Sequence, residues 1–474
     1  MTLQLIAALV GLGVLSGCAA THVRLPAKMV APDIWRTPPN ELPMSASGNK
    51  DPEWWKLLAD PELNRFIALA LEDNSDIRIA SVRIQQARAL TVGAVAEQRP
   101  NLSSNFEIRR ERVQGTRAKD ADGVTVRISP SFRKQISTQI VEATYEVDLL
   151  GRLALAARAS EAELLATKAE HRAVRLWAAH EVVVAYTDTR LAEVLLLQAS
   201  REIEFAMELL AAERAKREAG LSTGASVRAV EDELADAHKT LTNLERSRSL
   251  GLARLALVLG KAPAELVWPP VGDYFTRFLK TNTGAIDADL PAAVLDRRPD
   301  VIAAWHRVVA FTTDAERVRL EKYPKFTLSG SAGFLSQTLR RWLMGDAFAW
   351  VVGAALHGPL LDGGQVKART DAAAAIAAER QMEYRKVVLQ ALNEVEAALT
   401  EAVFARERLR IAESTLSRRV ADTTAASDLL RQGVGDRLAL LRAERAGIEA
   451  HQGVTMRRHD LLLAWASVQK TLGR

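Results

Sequence analysis

The stretch GRLALAARASEAELLATKAEHRAVRLWAAHEVVVAYTDTRLAEVLLLQASREIEFAMELLAAERAKREAG runs from Gly151 to Gly220 and contains no glycine or proline between these two residues. It is rich in alanine, leucine, glutamate and arginine, which are strong helix formers. Apolar residues recur at intervals of seven, as at Trp177, Val184 and Leu191, which is the spacing of a coiled-coil face. At about 1.5 Å per residue, one continuous helix here would extend on the order of 100 Å. The sequence therefore predicts a helix much longer than a globular core requires.

A second stretch of the same length and character lies between Gly364 and Gly433. Its apolar residues also recur at sevens, at Val388, Val395 and Ala402. The segments that precede the two stretches correspond as well, because residues 76–100 and 300–324 both run from an aspartate to a proline. Agreement at both places predicts that the chain consists of two copies of one structural unit.

Both copies predict the same succession of elements. A helix precedes the proline, two alternating strands follow, and the long helix leads through a glycine-containing turn into a second helix. The predicted strands are about 102–112, 136–147, 325–335 and 347–357. The predicted long helices are about 152–219, 225–258, 365–432 and 436–472. The polar residues 113–130 are predicted to form an external loop.

The predicted strands have the length of tilted membrane strands, and aromatic residues lie near their ends like an aromatic girdle (Phe348, Trp350 and Trp342). Four strands are too few to close a barrel, so we expect a barrel that several chains share. The alternative that the pattern leaves open is a small soluble sheet of four strands.

The N-terminus predicts a lipoprotein. An apolar stretch from Leu3 to Val14 ends in Leu15-Ser16-Gly17-Cys18, which matches a lipobox. Residues 1–17 are therefore predicted to be a signal peptide, and Cys18 the lipidated mature N-terminus. The segment departs from the usual pattern in having no lysine or arginine before Val14. The alternative is an ordinary signal peptide that contains a cysteine.

Composition argues against several classes of function. The 63 lysines and arginines are nearly balanced by 58 aspartates and glutamates, with no basic cluster interleaved with aromatics, so nucleic acid is not an expected partner. A single cysteine excludes an intrachain disulfide and a cysteine-based zinc site. No GxSxG, P-loop or HExxH motif occurs, so the sequence predicts neither an enzyme nor a metal or cofactor site.

Motifs along nearly the whole mature chain carry a family resemblance: Asp51-Pro52-Glu53-Trp54-Trp55, Tyr145-Glu146-Val147-Asp148-Leu149-Leu150-Gly151-Arg152, Leu295-Asp296-Arg297-Arg298-Pro299-Asp300, Tyr323-Pro324-Lys325-Phe326-Thr327-Leu328-Ser329-Gly330 and Gly358-Pro359-Leu360-Leu361-Asp362-Gly363-Gly364. With them the sequence resembles the outer membrane factor family of TolC-like channels, most closely its lipoprotein branch of OprM and NodT type.

The resemblance implies a mainly α-helical chain that forms a homotrimer, with a 12-stranded barrel in the outer membrane and a helical tunnel in the periplasm. It also implies an equatorial belt, built from residues around 259–296 and the chain termini. The domains it predicts are an N-terminal segment with the first repeat (18–270) and a linker with the second repeat (271–474).

The function implied by the resemblance is the exit duct of a tripartite efflux pump. Its partners would be a periplasmic adaptor, an inner-membrane RND-type pump and outer-membrane lipid, and its cargo drugs or other small molecules. A duct for type I protein or oligosaccharide secretion is the alternative. A coiled-coil spacer without a pore is a third hypothesis, which the alternating strands disfavour.

The resemblance also places an aperture where the long helices turn back. The turns contain six residues of interest: Gly220, Leu221, Gly433, Val434, Gly435 and Asp436. The aperture residues it implies are Leu438, Ala439 and Arg442. Family members commonly carry an aspartate at the place of Arg442, so this sequence departs from the pattern there. Either a ring of Arg442 side chains attracts anions, or Arg442 pairs with Glu444 or Asp436 and lines nothing.

Overall fold

The computed structural model describes residues 23–37, 53–113, 117–119, 122–123, 125–127, 131–270, 291–336, 339–341 and 343–474. The predicted signal peptide and Cys18, most of the predicted equatorial segment (271–290) and Trp342 lie outside the described residues.

Prolines and glycines bound the main elements. The helices are α1 (Pro61–Asp73), α2 (Ser75–Ala96), α3 (Arg152–Glu218), α4 (Gly224–Val258), α5 (Pro291–Arg297), α6 (Pro299–Arg319), α7 (Gln365–Arg431) and α8 (Arg437–Thr471). The strands are β1 (Asn101–Val113), β2 (Arg117–Lys119), β3 (Thr125–Arg127), β4 (Ser131–Val147), β5 (Lys325–Ser336) and β6 (Phe348–His357). β1 and β5 begin directly after Pro100 and Pro324, because proline ends a helix and favours extended backbone before it.

The two predicted repeats are confirmed by the helix lengths. Helices α3 and α7 each contain 67 residues, and α4 and α8 each contain 35. Corresponding helices begin the same distance apart along the chain, at residues 152 and 365 and at residues 224 and 437. The fold is therefore mainly helical, with two strands of the main sheet and one long helical hairpin in each repeat.

The main sheet has four antiparallel strands in the order β1-β4-β5-β6. Its register pairs Leu102 with Ala143, Val147 with Phe326, and Lys325 with His357. Strands β1 and β6 are its two edges.

The polar segment 113–130 differs from its prediction as a loop. It contains the short antiparallel hairpin of β2 and β3, and β4 begins at Ser131, five residues before the predicted start. The ladder between β1 and β4 continues to the pair of Val113 and Ser131. Residues 131–135 read Ser-Phe-Arg-Lys-Gln and show no apolar alternation, so their backbone pairing left no signal in the hydrophobic pattern.

The chain divides into two compact units. The first contains the described residues of 85–165 and 305–382 together with residues 23–27, and it holds both sheets. The second contains residues 28–84, 166–304 and 383–474. Its core packs Trp54 edge-on against Trp465, with 5.5 Å between ring centroids, and stacks Phe66 on Trp268 at 5.8 Å.

Small side chains pack the long helices of the second unit. An alanine column at intervals of seven is almost fully buried in α3: Ala178, Ala185, Ala192, Ala199 and Ala206. The face predicted for this helix is one residue out of phase, since Trp177 is 41% exposed. In α7 the predicted face is right, because Val388, Val395 and Ala402 are fully buried. The large apolar residues that recur every seven positions predicted the wrong buried face of α3. The helix is packed through its alanines instead, because small side chains let helices approach closely, and alanine gives only a weak hydrophobic signal in the sequence.

Among the described residues, none of the helices combines the length and apolarity that crossing a membrane would take.

Candidate aperture at the helix turns

Two turns of equal length join the paired long helices. The first turn (residues 219–223) joins α3 to α4, and the second turn (residues 432–436) joins α7 to α8. In the first, Gly220 has a φ of 71°, and the N–H of Leu221 donates to the carbonyl of Lys216 at 2.8 Å. In the second, Gly433 has a φ of 77°, and the N–H of Val434 donates to Leu429 at 3.1 Å. Both are Schellman caps, which need the left-handed conformation that glycine adopts without a steric cost.

Each turn exposes one apolar side chain. Leu221 is 78% exposed in the first turn and Val434 is 76% exposed at the matching position of the second. Gly220 and Leu221 of the first turn thus match Gly433 and Val434 of the second turn in conformation and exposure.

The helices after the turns begin with different caps. The side-chain oxygen of Thr223 accepts from the N–H of Ser226 at 3.2 Å. At the matching position the Asp436 carboxylate accepts from the N–H of Leu438 at 3.1 Å, and it also pairs with Lys216 at 3.2 Å. The backbone hydrogen bond from Leu438, the Lys216 ammonium and the positive charge of Arg442 hold the pKa of Asp436 below its ordinary value.

The three predicted aperture residues differ in their placement. Leu438 is only 6% exposed and lies in a small apolar cluster, packed against Leu209, Leu210, Val227 and Val230. Its side chain therefore secures α8 against α3 and α4. Ala439 and Arg442 are exposed on α8. Their spacing of three residues places them on one face of that helix.

Arg442 forms no ion pair closer than 4.0 Å with any carboxylate in the described part of the chain. Asp436, one of the two candidate partners, is bound to Lys216 instead. Arg442 affects Asp436 only through its charge at longer range. A permanently charged guanidinium thus remains exposed beside the second turn.

Arg445 forms an ionic junction that the sequence analysis missed. Its guanidinium contacts Glu202 of α3 at 3.5 Å, Glu449 of α8 at 3.2 Å and also Glu233 of α4. The Arg445 side chain is 24% exposed and that of Glu202 is 14% exposed. Two of its partners lie 243 and 212 residues away along the chain, so no local pattern could reveal them.

Long helical hairpins with matching turns, joined to an antiparallel sheet, are the arrangement that the resemblance to TolC-like outer-membrane channels implies. In the described residues, no group of three or more His, Cys, Asp or Glu side chains is placed to hold a metal ion.

The chain belongs to the outer membrane efflux protein family, whose model matches residues 66–261 and 290–474. It is 27% identical to the probable efflux pump outer membrane protein SepC of Pseudomonas putida, over 89% of this chain and 85% of the relative. It is also 27% identical to the pyoverdine export outer membrane protein OpmQ of Pseudomonas aeruginosa, over 97% of this chain and 94% of the relative. Among solved structures, the outer-membrane channel OprN is similar with a TM-score of 0.80 and 26% identity, covering 95% of this chain and 99% of that one.

These matches confirm the predicted family, the fold class and the main prediction of function. The protein is an efflux channel of the outer membrane.

Proposed function

We propose that three copies of this chain join edge to edge into one 12-stranded barrel in the outer membrane, above a tunnel made of their helical hairpins. The sheet carries this proposal. Each strand runs antiparallel to its neighbour in the order β1-β4-β5-β6, so the two edge strands β1 and β6 point in opposite directions. β6 of one copy can therefore pair antiparallel with β1 of the next, and closure removes every free edge.

One face of the sheet supports contact with lipid. Alternate residues of β5 and β6 pair across the strands, with Phe334 opposite Phe348 and Ala332 opposite Trp350. This face is apolar, and Trp350, Val352 and Leu356 on it are 68% to 77% exposed. Exposed apolar side chains on alternate positions are typical of a strand that faces lipid.

Cysteine pairs between edge strands test the assembly. We expect a variant with Asn105→Cys in β1 and one cysteine in β6 on the same face of the sheet, scanned over Ala349, Val351 and Gly353, to form covalent oligomers up to three chains after oxidation. The matched control is Thr144→Cys with Ser329→Cys, which lie opposite each other within one sheet and should link only within a chain. Oligomers from no β6 position, or a stable monomer by mass measurement in detergent, would refute the shared barrel.

The aperture of this duct, in the proposal, lies at the second turn of each copy. Arg442 and Ala439 line it from the exposed side of α8, and Leu438 holds that helix in place from behind. A periplasmic adaptor and an inner-membrane RND-type pump complete the system, and the cargo is a small molecule. The duct opens when the adaptor binds its open state more tightly than its closed state, because only differential affinity shifts such an equilibrium.

The N-terminal anchor is part of the same proposal. Cys18, outside the described residues, becomes the acylated N-terminus after cleavage at Gly17, as its Leu-Ser-Gly-Cys context supports. A fatty-acid probe should then label the wild type in cells and leave Cys18→Ser unlabelled. Equal labelling of the two proteins would exclude this anchor while leaving the shared barrel untouched.

A further inference from the structure

A cleft of about 610 Å³ in the second unit has several arginines in its lining. Four of its lining residues are Arg172 and Arg175 from α3, Arg297 at the end of α5, and Arg474 after α8. Glu53 supplies the only acidic side chain among the lining residues, and its carboxylate is already engaged by Lys56. Arginines thus outnumber acidic side chains among the described residues that line the cleft.

Arg172 and Arg175 have no hydrogen bond or ion pair with any residue that the structure describes. They are three residues apart on α3, so both guanidinium groups extend from one face of the helix. Arg298, which lies between the lining residues Arg297 and Pro299 in sequence, differs from the two arginines of α3 in having carboxylate partners. It pairs with Asp300 at 2.7 Å and with Glu394 at 2.6 Å, and it donates to the carbonyl of Thr471 at 3.1 Å. The charge of Arg298 is thus compensated by two carboxylates, whereas Arg172 and Arg175 have no such partner among the described residues.

A neighbouring histidine responds to the local positive charge. The pKa of His171 is lowered, first by burial and then by the charge of Arg175. Several guanidinium groups around one concave surface repel each other, and a low-dielectric wall focuses their field. A bound anion removes this repulsion, which favours its binding.

We propose that this cleft binds a multiply charged oxyanion of the phosphate type. Guanidinium groups bind such anions through pairs of parallel N–H bonds, which gives both affinity and selectivity over chloride. The bound anion would link α3 of the first repeat to the end of α8 in the second. The cleft does not involve the aperture residues, and the proposal does not depend on the channel function.

Calorimetric titration of the full-length protein in detergent at about pH 8 tests the proposal, because inorganic phosphate then carries two charges. We expect saturable binding of one phosphate per chain, and no comparable heat from chloride at equal ionic strength. Arg172→Gln with Arg175→Gln should weaken the affinity about tenfold or more. The control, Arg201→Gln with Arg246→Gln, removes the same charge from exposed arginines of α3 and α4 and should bind as the wild type does.

A second titration distinguishes the source of the phosphate group. Binding of short-chain phosphatidic acid at the same site would identify a lipid headgroup, whereas binding of inorganic phosphate alone would identify a free anion. Protection of Arg172 and Arg175 from phenylglyoxal by phosphate gives a readout on the wild-type protein, independent of how the variants fold. Equal binding by the Arg172/Arg175 variant would mean an adventitious ion only, and no preference for phosphate over chloride would equally overturn the proposal.

Discussion

The first turn and the second turn close their helices with the same pair of backbone hydrogen bonds around a left-handed glycine, yet they carry different charges. The first begins its outgoing helix with the neutral cap Thr223, followed by Ala229 where the second repeat has Arg442. The second uses the charged cap Asp436, which is bound to Lys216. The comparison shows that glycine and backbone hydrogen bonds determine the path of both turns, while the side chains that differ between the two repeats give the turns different charges.

The largest difference between the turns should come from Gly435. A Cβ at this position would lie 2.6 Å from the backbone nitrogen of Leu430, which cannot move without opening α7. We expect Gly435→Ala to destabilise the second turn by about 2–3 kcal/mol, and Gly220→Ala or Gly433→Ala by about 1–2 kcal/mol from left-handed strain. Rates of tryptic cleavage at Arg431 and Arg437 measure the effect. A wild-type rate in Gly435→Ala would show that the turn adapts freely.

The next largest effect should come from the ionic junction on α8. Arg445→Gln leaves three carboxylates close together without their shared cation, at a cost of about 1–2 kcal/mol. Arg437→Gln is the matched control, because Arg437 pairs with Glu208 at 3.4 Å with both side chains more than half exposed, where an ion pair contributes little.

Hydrogen exchange in residues 437–450 measures the local stability of this part of α8. We expect faster exchange in Arg445→Gln and little change in Arg437→Gln. Identical exchange in the two variants would mean that the partly buried junction stabilises the second turn no more than a surface pair does.

Sequence alone predicted the ends of both long helices to within one residue, because a glycine in the left-handed conformation ends each of them. It also located the four main strands from their alternating apolar residues, and the repeat from the matching spacings of glycine, proline and aspartate. It missed the first five residues of β4, where the hydrophobic pattern is absent, and the buried face of α3, where alanines carry the packing. It also missed the Arg445 junction, because helices more than 200 residues apart in sequence meet there.

Charge reversal at the candidate aperture tests whether the second turn affects ion conduction more than the first turn does. Arg442→Asp replaces three positive charges with three negative ones in the proposed trimer and should shift the reversal potential in a salt gradient towards cation selectivity. Ala229→Asp changes the matching exposed position of the first repeat and should shift it less. Single-channel recording measures both variants. An unchanged reversal potential in Arg442→Asp would place this residue away from the conduction path.

The smallest expected effect is a pH dependence confined to the second turn. The pKa of Asp436 is lowered in the folded protein, so its stabilising contribution is complete above the pKa of the unfolded chain and is lost as pH falls through the lower folded value. Below about pH 4, residues 437–440 should therefore exchange amide hydrogens faster, after correction for intrinsic rates, while residues 224–227 behind the neutral Thr223 should not. Asp436→Asn should abolish the difference, and parallel changes at both turns would contradict the assignment to this carboxylate.

Strands β1 and β4 are longer than β5 and β6, which determines which part of the proposed barrel is most exposed at the cell surface. The ladder of β1 and β4 continues five residues past the point where β5 ends, from the pair of Ile136 and Ser336 to Ser131. Five residues of strand extend about 16 Å. In the proposed assembly, the β1–β4 ladder of each chain would then extend past the end of the β4–β5 ladder at three places around the outer mouth. An antibody or phage that approaches the cell would then meet the ends of β1 and β4 at Val113 and Ser131 before it reached the end of β5.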